Sequence, residues 1–188
     1  MLFPGAALPL HIFEERYREL VRERLDFGVV LIRRGSEVGA GRAEDLYEVG
    51  TLATLERVEA LPDGRFSVLA RGVGRFRLRS LEHGRPYLRG HVEWLSDPPP
   101  RARPRLVVLL ERYLTAHGVR VTPQLDPDLG RRAAWLVGAV LQIDPARRQE
   151  LLESGDPDLA ERVLVEELAK LERLGRLGSF HPRQPPAN

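Results

Sequence analysis

Few residues in this chain could do chemistry. The sole lysine, Lys170, lies in Leu168-Ala169-Lys170-Leu171, where the apolar spacing makes it an exposed cation on a helix. No G-x-x-x-x-G-K-[ST] segment exists, so no loop is encoded that would cradle a nucleotide phosphate between backbone N–H groups and a lysine. Cysteine is absent, which excludes disulfides and thiolate metal sites. The five histidines (His11, His83, His91, His117 and His181) show no metal-ligand spacing and read as surface residues. The acid pairs Glu14-Glu15 and Glu166-Glu167 fall on helical patterns, where they face basic partners such as Arg18 against Glu14. No catalytic residue, metal or cofactor is expected from this inventory.

One basic pattern stands above that background. Arg75, Arg77 and Arg79 alternate with Phe76 and Leu78, which on a strand sets three guanidinium groups on one face and two apolar groups on the other. From Arg65 to Arg89 there are seven arginines, Arg71 among them, against one acid, Glu82. Two readings are open. Arg71, Arg75, Arg77 and Arg79 could form an anion site for RNA, an acidic peptide or a partner surface. They could instead form a solvated face paired across strands with Glu56, Glu59 or Glu93, which is the favoured reading. Aromatics that could stack on bases make up only 6% of the chain, which weakens the nucleic-acid case.

The elements that must position these residues divide at Asp97-Pro98-Pro99-Pro100, because proline neither donates to a ladder nor tolerates helix before it. Residues 1–97 read mostly as short strands and turns, and residues 101–178 read as helices. Residues 179–188 carry three prolines and read as a disordered tail. In the first part, Ile12, Phe13, Tyr17, Leu20, Val21 and Leu25 recur at helical spacing. Runs at 27–32, 51–61, 66–70, 74–81 and 87–95 read as strands. Pro62-Asp63-Gly64-Arg65 reads as a hairpin turn, and Gly72 and Gly74 as a bulge. In the second part, helices are expected over 106–117, 128–143, from Asp144-Pro145 and from Asp156-Pro157. In the last two, Asp serves as the N-cap and Pro as the first helical residue. Gly118 is suited to end the first of these helices. Strands followed by helices give an α+β class.

Composition agrees with a folded, water-facing chain. Of 188 residues 43% are apolar and 30% charged, and the formal net charge is only +2. The pI of 9.4 reflects arginine that does not titrate near neutrality. No run approaches the roughly 18 apolar residues of a membrane span, and no secretory leader is evident. A cytoplasmic protein is expected.

Five separated segments resemble the N-terminal substrate-binding domain of the Lon ATP-dependent protease. They are Leu2-Phe3-Pro4-Gly5 with Leu8-Pro9-Leu10-His11-Ile12-Phe13-Glu14 and Arg16-Tyr17; Val49-Gly50-Thr51-Leu52-Ala53; Leu61-Pro62-Asp63-Gly64-Arg65; Gly72 with Arg75-Phe76; and Gln149-Glu150-Leu151-Leu152-Glu153. The resemblance implies a PUA-like β pseudo-barrel followed by a C-terminal helical bundle, in one of the small stand-alone Lon-domain proteins of bacteria. Relatives place a further strand ahead of the Leu-Phe-Pro-Gly segment, whereas here Met1 precedes it directly. Either the start lies upstream or the barrel lacks that stretch, leaving a free strand edge nearby.

The resemblance also implies a non-catalytic module that binds unfolded or tagged polypeptide, as an adaptor or holdase, with a protease or chaperone as a further partner. Binding of RNA or another polyanion is the alternative. Neither the ATPase loop nor the Ser–Lys protease domain of Lon is in the chain, so no enzyme activity is expected. Polypeptide binding calls for exposed apolar surface or a free edge, and the candidates are Phe3, Leu8, Tyr47, Leu61 and Phe66. For each of them taken singly, filling the local core is the favoured reading.

Overall fold

The computed structural model describes residues 1–24, 26–34, 43–97, 103–119 and 127–178. Leu25, residues 35–42, the prolines of the boundary and the tail from Ser179 lie outside the described residues.

Among the described residues there are five strands and five α-helices: β1 (Ala7–Ile12), α1 (Glu15–Arg22), β2 (Phe27–Val29), β3 (Val49–Ala60), β4 (Phe66–Glu82), β5 (Arg89–Trp94), α2 (Pro104–Ala116), α3 (Pro127–Val140), α4 (Pro145–Ser154) and α5 (Pro157–Gly178). The sheet is antiparallel with order β1-β4-β3-β2, and β5 also pairs with β4. At 17 residues β4 is long enough to hold two partners end to end on the edge opposite β3. β1 lies along Phe66–Arg71 and β5 along Phe76–Glu82. Among the described residues no ladder joins β1 or β5 to β2, so the sheet is open.

The hairpin between β3 and β4 turns at Pro62-Asp63-Gly64-Arg65 as the sequence indicates. Gly64 sits at φ +79°, and its N–H donates to Leu61 O at 2.9 Å. The register shifts where Leu52 faces Gly74 and Ala53 faces Gly72, which leaves Val73 as the bulged residue. Residues 66–70 and 74–81, read separately from sequence, are thus one bent strand.

Two expectations are corrected. The helix begins at Glu15, not at Ile12, because residues 7–12 form β1 instead. Within that helix Arg18 pairs with Glu15 at 2.7 Å rather than with Glu14.

The helical half follows its caps closely. Asp144 Oδ1 accepts from Ala146 N at 2.8 Å, and Asp156 Oδ1 from Asp158 N at 2.9 Å. Gly118 at φ +75° lies just past α2, and Val119 N donates back to Leu114 O.

Apolar residues gather in two clusters. One is built from Leu2, Val21, Ala53, Val68 and Ala70, between the sheet and α1. The larger joins α2–α5 and takes in Phe3 and Val49, with Met1, Ala6 and Leu95 packed against it. The lead-in before β1 therefore belongs to the helical core, although it is far from the helices in sequence.

Candidate functional site

At the β4–β5 end of the sheet, neighbouring residues face opposite ways, and the two faces differ in chemistry. Arg75 points toward the helices and is only 4% exposed. Its Nη1 donates to Leu152 O (2.9 Å) and Glu153 O (3.1 Å), its Nη2 to Ser96 O (3.0 Å) and its Nε to Asp97 Oδ1 (3.0 Å). Its guanidinium also lies 4.8 Å from the centre of the Trp135 ring. Every face of the fork is engaged, and the last carbonyls of α4 receive the positive charge that suits a helix C-terminus.

The other arginines of the row also have partners. Arg71 makes a two-point contact with Glu56 across the sheet and donates from Nη1 to Gly5 O at 2.9 Å. Arg79 pairs with Glu93 on β5. The Arg71 and Arg79 hydrogen bonds hold the Glu56 and Glu93 carboxyls below the usual range. Arg77 is looser. Its buried Nε lies 3.8 Å from Glu48 Oε2, too long for a hydrogen bond. Together with Arg33, Glu48, Val49 and Glu153 it lines a shallow cleft of about 260 Å³, with two cations and two anions in its wall. Gln149, 1% exposed on α4, donates to Val49 O at 2.9 Å and to Glu153 Oε1 at 3.0 Å beside this cleft.

The opposite face is apolar. Phe76 is buried and lies across two glycines: a Cβ at Gly28 would come within 2.8 Å of its ring, and one at Gly50 within 2.7 Å. Leu78 covers Gly90 in the same way. On β5, Trp94 faces Phe76 and Val92 faces Leu78. Trp94 is 60% and Val92 41% exposed. Sequence reasoning placed 87–95 on a strand but missed these two as surface residues. The alternation of Gly90, Val92 and Trp94 against Arg89, His91 and Glu93 is the signal that marks them.

The polypeptide candidates fall elsewhere. Phe3 is 1% exposed, with its ring centre 6.4 Å from that of Trp135, and has no surface to offer. Leu8 and Phe66 are half-buried against the cluster beneath α1. Leu61 is half-buried at the hairpin turn. Tyr47 lies half-buried under the Arg33 guanidinium, at 4.8 Å. These five do not come together in one patch. Among the described residues no three His, Asp or Glu side chains are placed to hold a metal ion, and no helix is long and apolar enough to cross a membrane.

Known proteins resemble this chain in sequence and in fold. Residues 1–170 match the family described as ATP-dependent protease La (LON) substrate-binding domain. The Lon protease of Desulfovibrio desulfuricans is 30% identical over 174 residues, covering 84% of this chain and 19% of that protein. The Lon protease of Parabacteroides distasonis is 37% identical over 106 residues, covering 53% of this chain and 12% of that one. The chain thus spans about a fifth or less of the length of these relatives. The crystal structure of a Lon N-terminal domain protein from Xanthomonas campestris superposes with a TM-score of 0.65 at 28% identity, covering 88% of this chain and 92% of that one. The N-terminal domain of a Mycobacterium avium complex Lon protease shares the fold, with a TM-score of 0.57 at 18% identity. With the fold, the sequence match and the extent of coverage in agreement, the chain belongs to the Lon substrate-binding domain family.

Proposed function

We propose that this domain is a non-catalytic module that binds unfolded or tagged polypeptide and acts in the cytoplasm as an adaptor or holdase. The observation that carries the reading is the match to a substrate-binding domain over residues 1–170. The exposed apolar face at Val92 and Trp94 supports it, since contiguous exposed apolar surface serves binding. A PUA-like pseudo-barrel is part of the same reading; the bulged, shared β4 supports it, because such bulges let a sheet curl.

The polyanion alternative has less support. A phosphate chain would have to displace Glu56 from Arg71 and Glu93 from Arg79, and Arg75 is enclosed. A holdase assay tests the proposal. Equimolar protein without nucleotide should suppress the light scattering of a heat-aggregating client, and in separate assays the purified protein should neither hydrolyse ATP nor cleave casein. Undiminished scattering, or a hydrolase activity that survives repeated purification, contradicts it.

A further inference from the structure

The sheet's edges are not equivalent. β1 carries Pro9, which has no N–H to offer a neighbour. β2 is three residues long. In the stretch of β3 beyond β2, Leu55 and Val58 pack against the cluster beneath α1, so Glu56, Arg57 and Glu59 are left at the surface with no large exposed apolar side chain beside them. β5 has no proline, runs six residues, is exposed along its whole length, and among the described strands pairs only with β4.

Its backbone can be oriented from one bond. Leu95 N donates to Arg75 O at 3.0 Å, so Leu95 faces β4. In an antiparallel ladder successive residues alternate between facing the partner and facing away. The N–H and C=O groups of Trp94 and Val92 therefore point outward. These are the two residues whose apolar side chains stand exposed beside Phe76 and Leu78. Backbone donors and acceptors thus coincide with a hydrophobic platform that three glycines flatten. On the opposite face Arg79–Glu93 and His91–Glu82 are paired, which leaves little net charge for a polyanion.

We propose that the outer edge of β5 receives an extended apolar polypeptide segment as an added strand. Its main chain bonds to Val92 and Trp94, and its alternate side chains lie against Trp94. Polypeptide is the occupant that fits, because its own N–H and C=O groups repeat at the spacing of that edge, and apolar side chains on its inward face match the platform. The inference rests on the polypeptide-binding reading above and locates it.

The test uses reduced, carboxymethylated α-lactalbumin carrying a fluorescent label, with the full chain and two variants. Trp94→Ser removes the aromatic. Val92→Pro removes an outward donor and leaves the ladder N–H groups in place. Circular dichroism spectra and thermal melts of each variant verify the fold, since both changes lie on an exposed strand. Binding should weaken at least about tenfold in each variant, and hydrogen exchange at the Val92 and Trp94 amides should slow when the probe is added to the wild type. If the wild type binds and both variants match it, the edge is not the site and the polypeptide reading stands. If the wild type does not bind, both fail. If the wild type sediments as a dimer that Trp94→Ser separates, a second copy occupies the edge and the proposal is overturned.

Discussion

The Arg75 guanidinium stacks over the Trp135 ring at 4.8 Å, so the longest strand and α3 are joined through one side chain. The same fork closes on the last carbonyls of α4 and on Ser96 and Asp97, where the chain leaves the sheet for the helices. Arg75 is thus the rivet between the sheet and the helical core.

Arg75→Ala should leave several carbonyls without donors in a space that water does not readily fill. Unsatisfied buried acceptors cost about 1–3 kcal/mol each, part of it relieved by relaxation, so a loss of about 3 kcal/mol is expected. That is roughly 6–12 °C in melting temperature for a domain of this size. Arg75→Lys should fall between the two, because an ammonium cannot reproduce the planar fork. Thermal melts by circular dichroism check this.

Gly64 and Gly155 are both left-handed, at φ +79° and +62°, but their surroundings differ. A Cβ at Gly64 would meet only the mobile end of Arg18, whereas one at Gly155 would meet the Trp135 ring and the Arg75 guanidinium. Gly64→Val should cost about 1–3 kcal/mol through backbone strain. Gly155→Ala should cost more than Gly64→Ala, since packing adds to strain. Equal melting temperatures for the two alanine variants would contradict this.

Gly138 lies on α3, where alanine would ordinarily gain up to about 1 kcal/mol in helix propensity. Its Cβ position is filled by the Phe3 ring. Gly138→Ala should therefore destabilise the protein despite the propensity gain. Combined with Phe3→Leu, it should recover part of the loss. Additive costs in the double variant would show that the two residues do not meet.

Acid should weaken the sheet and its flanking helix α1. The hydrogen bonds from Arg71 and Arg79 lower the Glu56 and Glu93 carboxyls, as those from Arg22 and Arg65 lower Glu15 and Asp63. A depressed folded-state pKa gives stability that is complete above the unfolded value, about 4.3 for Glu, and is lost as pH falls through the folded one. The melting temperature should begin to drop below about pH 5 and keep falling as pH passes the depressed folded-state values. Glu56→Gln with Glu93→Gln should make that drop shallower. An unchanged slope would show that these surface pairs contribute nothing.

Local signals carried much of this fold. Asp144-Pro145 and Asp156-Pro157 open helices because cap and first residue are chemically fixed, and Pro62-Asp63-Gly64-Arg65 turns because Gly64 can adopt its positive φ. β1 escaped notice because Pro9 argues against a strand and Ile12 falls in phase with the following helix. The arginine row shows the limit of periodicity. Alternation puts Arg75, Arg77 and Arg79 on one face, but only the tertiary fold decides that Arg75 meets a helix end while Arg79 meets Glu93. Phe3 is a similar case: nothing near it in sequence announces that it packs on Trp135. Trp94 was placed on its strand, and alternation groups it with Val92 on one face, yet its exposure follows from β5 pairing only with β4 among the described strands.

The most direct measurement is an equilibrium titration of the labelled, unfolded α-lactalbumin and of a single-stranded RNA, each at low and at high salt. Binding through apolar surface and strand edge should favour the unfolded chain and change little with salt. Phosphate contacts would lose affinity steeply, by about 0.7 decade per decade of salt for each contact to a single strand. Saturable, salt-tolerant binding of the unfolded chain with weak RNA binding is the predicted result. Tight RNA binding that collapses with salt, with no affinity for the unfolded chain, would contradict the account.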